Sequence, residues 1–212
     1  MFFNTQSLNE LEQRYRAHLI NSLSGFKSAN LLGTVDKNGQ ENLSIVSSVF
    51  HLGANPALLG MIIRPHSVPR HSFENILETG YYTLNHVNED IVTQAHQTSA
   101  RYEKVQSEFT ETGLTAEYLN DFKAPFVKES KIKMGLKLVS EQVIELNQTH
   151  LVIGELIALN CPNSVIQPDG FIDIEAAKTV AITGLDSYHT TNKINRLSYA
   201  KPDTIPKPLV TL

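Results

Sequence analysis

Three strand-forming segments follow one another between residues 29 and 64, and they constrain the fold more than any other feature. The first, 29–35, leads into a turn whose Asn38-Gly39 pair favours a β-hairpin. The second, 42–52, is rich in valine, isoleucine and serine and stops before Asn55-Pro56. The third, 57–64, is a nearly continuous apolar run, typical of a strand buried on both faces. Short turns between strands favour antiparallel pairing, so the sequence predicts a mainly β barrel or sandwich.

Helices are predicted around this sheet. Ser7 and Glu10 fit a capping box, and apolar residues then recur at helical spacing, so residues 1–23 are expected to hold an N-terminal helix. Ser72 is expected to cap a helix over 72–79 that Gly80 ends. Further segments are predicted as strands at 81–87, 132–146, 150–160 and 178–183, a helix from Asn88 to Ala95, and a loop plus a helix over 101–120.

No linker-like stretch divides the chain. We therefore expect one domain over 1–212, with peripheral helices and an irregular C-terminal tail at 185–212.

Composition excludes several classes of function. The net charge is −4, whereas binding to nucleic acid or to a membrane surface requires a positively charged surface. A single cysteine, Cys161, rules out an intrachain disulfide, and none of the eight histidines has metal-ligand spacing, so no metal site is expected. Because neither a signal peptide nor a membrane-length apolar run is visible, we expect a cytoplasmic protein.

One segment has an unusual charge pattern. Residues 42–73 contain no aspartate or glutamate, although a window of that length should hold about three at the average density of this chain. Arg64, His66, Arg70 and His71 lie within eight residues of one another in this window. They lead into the predicted helix at Ser72, and a helix N-terminus with cations beside it is suited to phosphate. The sequence therefore predicts a phosphate site here, with ordinary surface arginines as the alternative.

Two polar segments are candidates for the rest of a ligand site. The strand over 42–50 has hydroxyl groups on both faces, which would let a flat ligand approach the backbone closely. A strand half exposed to water is the alternative. Residues 96–102 are rich in hydrogen-bond donors, although a lone His96 is also compatible with a structural role.

Taken together, these segments resemble the flavin reductase-like family of FMN-binding split barrels. The resemblance covers roughly residues 20–185. It rests on the order and spacing of 42–50, Asn55-Pro56, Arg64-Pro65, 70–76, 79–85, 95–100 and 107–114.

The resemblance implies an antiparallel Greek-key split β-barrel with helices around it. It also implies a homodimer with FMN in a groove at the dimer interface. The cofactor-binding residues expected from it are Asn42, Ser44, Ile45, Val46, Ser47 and Ser48 along the isoalloxazine ring, Arg64, Arg70, His71, Ser72 and Asn75 at the phosphate, and Thr98 and Ser99. Arg70 is favoured over Arg64 as the phosphate ligand, because it is nearer the helix start.

The family function implied is an FMN-binding oxidoreductase that transfers hydride from NAD(P)H to FMN. Lys27 and His96 are candidates for donors at the edge of the flavin. A downstream monooxygenase or electron-transfer protein would be the partner. Two alternatives stay open: an FMN-binding electron carrier reduced by a protein partner, and a related split barrel that binds haem or a pyridoxal-type phosphate.

Overall fold

Antiparallel strands provide most of the regular structure in the computed structural model, which describes residues 1–209. The strands are β1 (Lys27–Ser28), β2 (Asn30–Val35), β3 (Glu41–Val46), β4 (Val49–Ala54), β5 (Ala57–Ile63), β6 (Tyr81–His86), β7 (Ala116–Glu117), β8 (Phe126–Val127), β9 (Lys133–Ile144), β10 (Thr149–Asn160), β11 (Ala181–Thr183) and β12 (Ser187–His189). The helices are α1 (Thr5–Glu10), α2 (Gln13–Leu23), α3 (His71–Thr79), α4 (Val92–Gln97) and α5 (Glu108–Thr112), with 3-10 turns at Glu89–Ile91 and Asn163–Val165. The predicted mainly β antiparallel class is confirmed.

The main sheet is rolled into a barrel by one short connection. Its seven strands lie in the order β3-β2-β6-β9-β10-β5-β4, so β3 and β4 are the two edges. Only Ser47 and Ser48 separate these edge strands in the chain. A flat sheet would hold its edges about 29 Å apart, whereas a link of this length spans about 11 Å. The sheet must therefore curl until its edges meet at one end, which leaves a barrel split along β3 and β4.

β2 lies at the centre of the protein's core. Leu31 and Leu32 point to opposite faces of this strand and belong to two different apolar clusters. The expectation that the 57–64 run is the strand buried on both faces was wrong, because only Gly60 and Met61 of β5 are fully buried. Leu59, Met61 and Ile63 point to one apolar cluster, so the alternate residues of β5 lie on the other face of the sheet.

Four local predictions need correction. The segment over 42–52 is two strands rather than one, because the chain leaves one edge of the sheet and enters the other at Ser47-Ser48. The N-terminal helix within 1–23 is broken into α1 and α2 at Leu11, whose backbone is extended. Asn4 caps α1, and Ser7 is the third helical residue of its capping box rather than the cap.

The fourth correction concerns the C-terminal tail, 185–212, which is less irregular than expected. Its segment β12 pairs with β11, and β11 pairs with β1, so a small sheet ties the tail to the N-terminal side of the barrel. Residues 210–212 of this tail lie outside the described residues. None of the helices in residues 1–209 is long and apolar enough to cross a membrane.

A glycine in β2 makes a close backbone approach possible and provides a test of this fold. A Cβ atom at Gly33 would lie 2.2 Å from the Pro125 carbonyl oxygen and 2.6 Å from Thr83 Oγ1. We expect Gly33→Ala to lower the free energy of unfolding by about 1–3 kcal/mol in a urea titration. Gly53→Ala, whose nearest contact would be 3.3 Å, is the control and should lose clearly less. Equal losses in the two variants would contradict this packing.

Candidate functional site

The start of α3 is the centre of the predicted phosphate site. Phe73 and Ile76 bury one face of this helix in the core, and Gly80 ends it in the left-handed conformation that glycine tolerates, with φ 76°. The cap position is Arg70 rather than Ser72, and no side chain caps the helix. The first N–H groups of an α-helix lack intrahelical acceptors, so the first turn of α3 has free donors.

Two further arginines lie close enough to Arg70, at the start of this turn, for their charges to act on its guanidinium group. Arg64 follows β5 and Arg70 precedes α3, while Arg101 comes from the segment after α4. Burial, followed by the positive charges of Arg64 and Arg101, lowers the pKa of Arg70 from its ordinary value. The Arg70 Nε–H donates to the Pro65 carbonyl oxygen over 2.8 Å. Within residues 1–209 none of the three forms an ion pair, so this arginine cluster keeps its positive charge uncompensated.

A chain of hydrogen bonds connects α3 to β3. The Ser72 hydroxyl lies 2.8 Å from the Ser44 hydroxyl and donates to Asn42 Oδ1 over 2.6 Å. Asn42 Nδ2 in turn donates to Glu108 Oε2 over 2.5 Å. The structure thus brings together three of the predicted site residues, Asn42, Ser44 and Ser72, although Ser72 is 28 residues from Ser44 and 30 from Asn42 in sequence.

The site is free of acids along 42–73 but not in space. Glu108, the first residue of α5, is only 5% exposed and lies against β3, where its Oε2 also accepts the Leu43 N–H over 2.9 Å. Burial raises the pKa of this carboxyl, and the hydrogen bonds from β3 oppose that shift. Glu74, in the first turn of α3, accepts the Arg70 N–H and pairs with His66. The patch that was predicted to lack negative charge does contain carboxylates in space, but they already accept hydrogen bonds from neighbouring groups of the protein.

The remaining residues predicted along β3 occupy varied positions. Ile45 and Val46 are half-buried and pack against different apolar clusters. Ser47 is half-buried, and Ser48 is exposed, with its carbonyl oxygen accepting the Ile62 N–H. The strand is therefore half-buried, as the alternative interpretation also expected.

Of four further predicted contacts, two are already paired within the protein. Asn75 is buried, and its Nδ2 donates to Thr34 Oγ1 on β2. The buried Thr98 hydroxyl donates to the Ala95 carbonyl oxygen, which leaves exposed Ser99 as the freer of the two hydroxyl groups at the end of α4. His71, half-buried at the first position of α3, is close enough to Glu108 for its charge to lower the pKa of that carboxyl.

Lys27 contacts the residue just before the C-terminal tail, and His96 contacts the tail itself. The Lys27 ammonium donates to the Gly184 carbonyl oxygen over 2.8 Å, and His96 Nδ1 lies 3.0 Å from the Tyr188 hydroxyl. Within residues 1–209 neither side chain bonds to the arginine cluster or to the serines. Their predicted role at a flavin edge stays a prediction.

A phosphate group fits the residues that converge at α3. Uncompensated guanidinium groups and free N–H groups at a helix start are the donors that phosphate oxygens prefer. Two residues of the observed site, Arg101 and Glu108, were not among the residues predicted from the sequence. Arg101 lies within the donor-rich segment 96–102, so its part in the site could have been inferred from the sequence. Glu108 lies in the segment 107–114 that carries the family resemblance, but its contact with β3 could not be inferred, because only the folded chain brings α5 to β3.

These features define the protein as a split barrel with a candidate site beside the start of α3. The comparison with known families then identifies it: a sequence model of the flavin reductase like domain matches residues 23–174, and the chain belongs to that family.

Solved structures agree with this fold. A Shewanella frigidimarina NCIMB 400 protein described as a flavin reductase with a split barrel domain is 62% identical, with a TM-score of 0.92 over 94% of this chain and 100% of its own. Nitrilotriacetate monooxygenase component B from Bacillus cereus is 20% identical, with a TM-score of 0.81 over 93% of this chain and 98% of its own. An FMN-binding protein from Thermus thermophilus is 13% identical, with a TM-score of 0.66 over 79% of this chain and 88% of its own.

The arginine cluster predicts stabilisation by phosphate. A ligand that binds only the folded state raises the melting temperature, so inorganic phosphate should raise it by a few degrees over chloride at equal ionic strength. Arg101→Ala should lose at least half of that increment, and Arg14→Ala, which removes an exposed arginine of α2, should keep it. If Arg101→Ala responds to phosphate like the unmodified protein, Arg101 does not belong to the site.

Proposed function

We propose that this protein binds FMN and transfers hydride from NAD(P)H to it. The observation that supports this most directly is the gathering of Arg64, Arg70 and Arg101, without a carboxylate partner, beside the free N–H groups of α3. A phosphate monoester such as that of FMN supplies the missing negative charge. The family membership supports a flavin as the rest of the ligand.

Each part of the site has a task in this proposal. The arginine cluster and the first turn of α3 bind and orient the phosphate. The backbone of β3 and the Ser47-Ser48 link lie beside the flavin ring, with Ser99 as a further contact. When bound, FMN supplies the hydride acceptor, so no acid or base on the protein is required for that transfer.

The proposal includes a homodimer. The edge strand β4 exposes Phe50 and Leu52, and the outer parts of β9 and β10 expose Val139 and Ile157. A contiguous patch of exposed apolar side chains marks a protein–protein interface or a ligand groove. A second copy of the chain would cover them and form the other wall of the flavin groove.

Reduced flavin needs an acceptor, and we propose a monooxygenase or an electron-transfer protein for that role. The Bacillus cereus relative is by its name one component of a monooxygenase. In our proposal this chain would likewise reduce the flavin, and a separate protein would use the reduced flavin.

Removing one guanidinium tests where the phosphate binds. We expect Arg70→Ala to weaken FMN binding about 10- to 150-fold, because a charge-assisted hydrogen bond contributes about 1.5–3 kcal/mol. Riboflavin, which lacks the phosphate, should bind the variant and the unmodified protein within about threefold of each other. Both affinities follow from quenching of flavin fluorescence. Unchanged FMN affinity in Arg70→Ala would remove the phosphate from this position.

Anaerobic reduction tests the activity. Addition of NADH or NADPH to the FMN-loaded protein should bleach the flavin absorbance, and excess FMN should be consumed over many turnovers. A bound flavin that both nucleotides leave oxidised would instead indicate an electron carrier that a protein partner reduces. A protein that binds no flavin at all would contradict the proposed function.

A further inference from the structure

We propose that Glu108 is a positioning residue for the phosphate site, holding the first turn of α3 against β3 through Asn42 and Ser72. This inference rests on the proposed function, since it concerns how the same site binds its phosphate. It also assigns Ser72 a different task from the one its sequence position suggested: Ser72 connects two elements and gives no proton to the phosphate.

The hydrogen bonds along this chain have one direction. Glu108 Oε2 accepts two hydrogen bonds, from the Leu43 N–H and from Asn42 Nδ2. Asn42 therefore turns its Oδ1 toward Ser72, and Oδ1 can only accept. The single hydroxyl proton of Ser72 is used in that bond, so Ser44 must be the donor in the bond between the two serines.

This direction decides which groups are left for an anion. Ser72 has no proton to give while Asn42 keeps its orientation. The available donors are the guanidinium groups and the free backbone N–H groups at the start of α3. Backbone donors work only when the turn that presents them is fixed, and the chain from Glu108 fixes that turn at Ser72.

The location of Glu108 suits such a role. It is buried at the start of α5, and α5 packs mainly on β3. Its carboxyl reaches the Ser72 hydroxyl through the Asn42 side chain, and His71 of α3 is also close enough to interact with it electrostatically. Removing the acceptor would leave the Leu43 N–H unpaired and the Asn42 amide free to rotate, which would release Ser72.

A double-mutant cycle tests this coupling in the full chain. The variants are Glu108→Leu, Ser72→Ala and their combination, with Glu108→Gln as the conservative variant. Glu111→Leu, which removes an exposed carboxylate from the same helix, is the matched control. FMN and riboflavin affinities are measured for each variant, and thermal unfolding shows that each is folded at the assay temperature.

We expect Glu108→Leu to weaken FMN binding at least tenfold and riboflavin binding less than threefold. Glu108→Gln should stay within threefold of the unmodified protein for FMN, because its amide oxygen can accept the same two N–H groups. In the Ser72→Ala background, Glu108→Leu should add less than a twofold loss. Additive losses, equal losses for FMN and riboflavin, or a Gln variant as damaged as the Leu variant would each overturn the proposal.

Two additional experiments cover the cases in which a variant does not fold or the protein binds no FMN. If Glu108→Leu does not fold, Asn42→Ala removes the middle of the same chain, and the cycle with Ser72→Ala makes the same prediction. If the unmodified protein binds no FMN, the proposed function fails first. The cycle is then measured as the increase in melting temperature that inorganic phosphate causes in each variant. Losses of this increase that are not additive between Glu108→Leu and Ser72→Ala support the positioning role, and additive losses contradict it.

Discussion

The two-residue link Ser47-Ser48 is the constraint on which the rest of the structure depends. It joins the opposite edges of a seven-stranded sheet, so the sheet cannot lie flat. Curling brings β3, the edge strand with the polar side chains, next to the start of α3. The candidate site is therefore a product of barrel closure, because its serines and its helix come from segments that meet only in the rolled sheet.

The electrostatics of the site follow from how its charges are paired. Glu74 and Glu108 are engaged by neighbouring N–H groups and by His66, whereas the three guanidinium groups have no carboxylate partner within the described residues. A concentration of unpaired positive charge costs free energy, and an anionic ligand offsets it. This imbalance is what makes a phosphate ligand the best explanation of the site.

The fold was largely predictable, because strand and turn signals are local. The hairpin at Asn38-Gly39 and the stop at Gly80 depend on the conformations of single residues. The break at Ser47-Ser48 was not predictable, since the segment is β-compatible throughout and only closure of the barrel decides where it bends. Burial of β2 on both faces depends in the same way on what packs against it.

The site was predictable in part for the same reason. The sequence predicts the helix α3, with Arg70 directly before it and Ser72 in its first turn. The neighbourhood of these two residues could therefore be inferred. The roles of Asn42 and Glu108 could not be inferred, because they depend on a contact between two residues that are 66 positions apart in the sequence. Asn75 shows the converse error, since its position on α3 looked suitable while its side chain turns to Thr34.

A crystal structure of the protein with FMN tests the central claim most directly. The account predicts the phosphate oxygens within hydrogen-bond distance of the Arg70 guanidinium and the first N–H groups of α3, with the Ser72 hydroxyl still bonded to Asn42. A phosphate bound away from the arginine cluster, or a Ser72 hydroxyl donating to it in place of Asn42, would contradict the account.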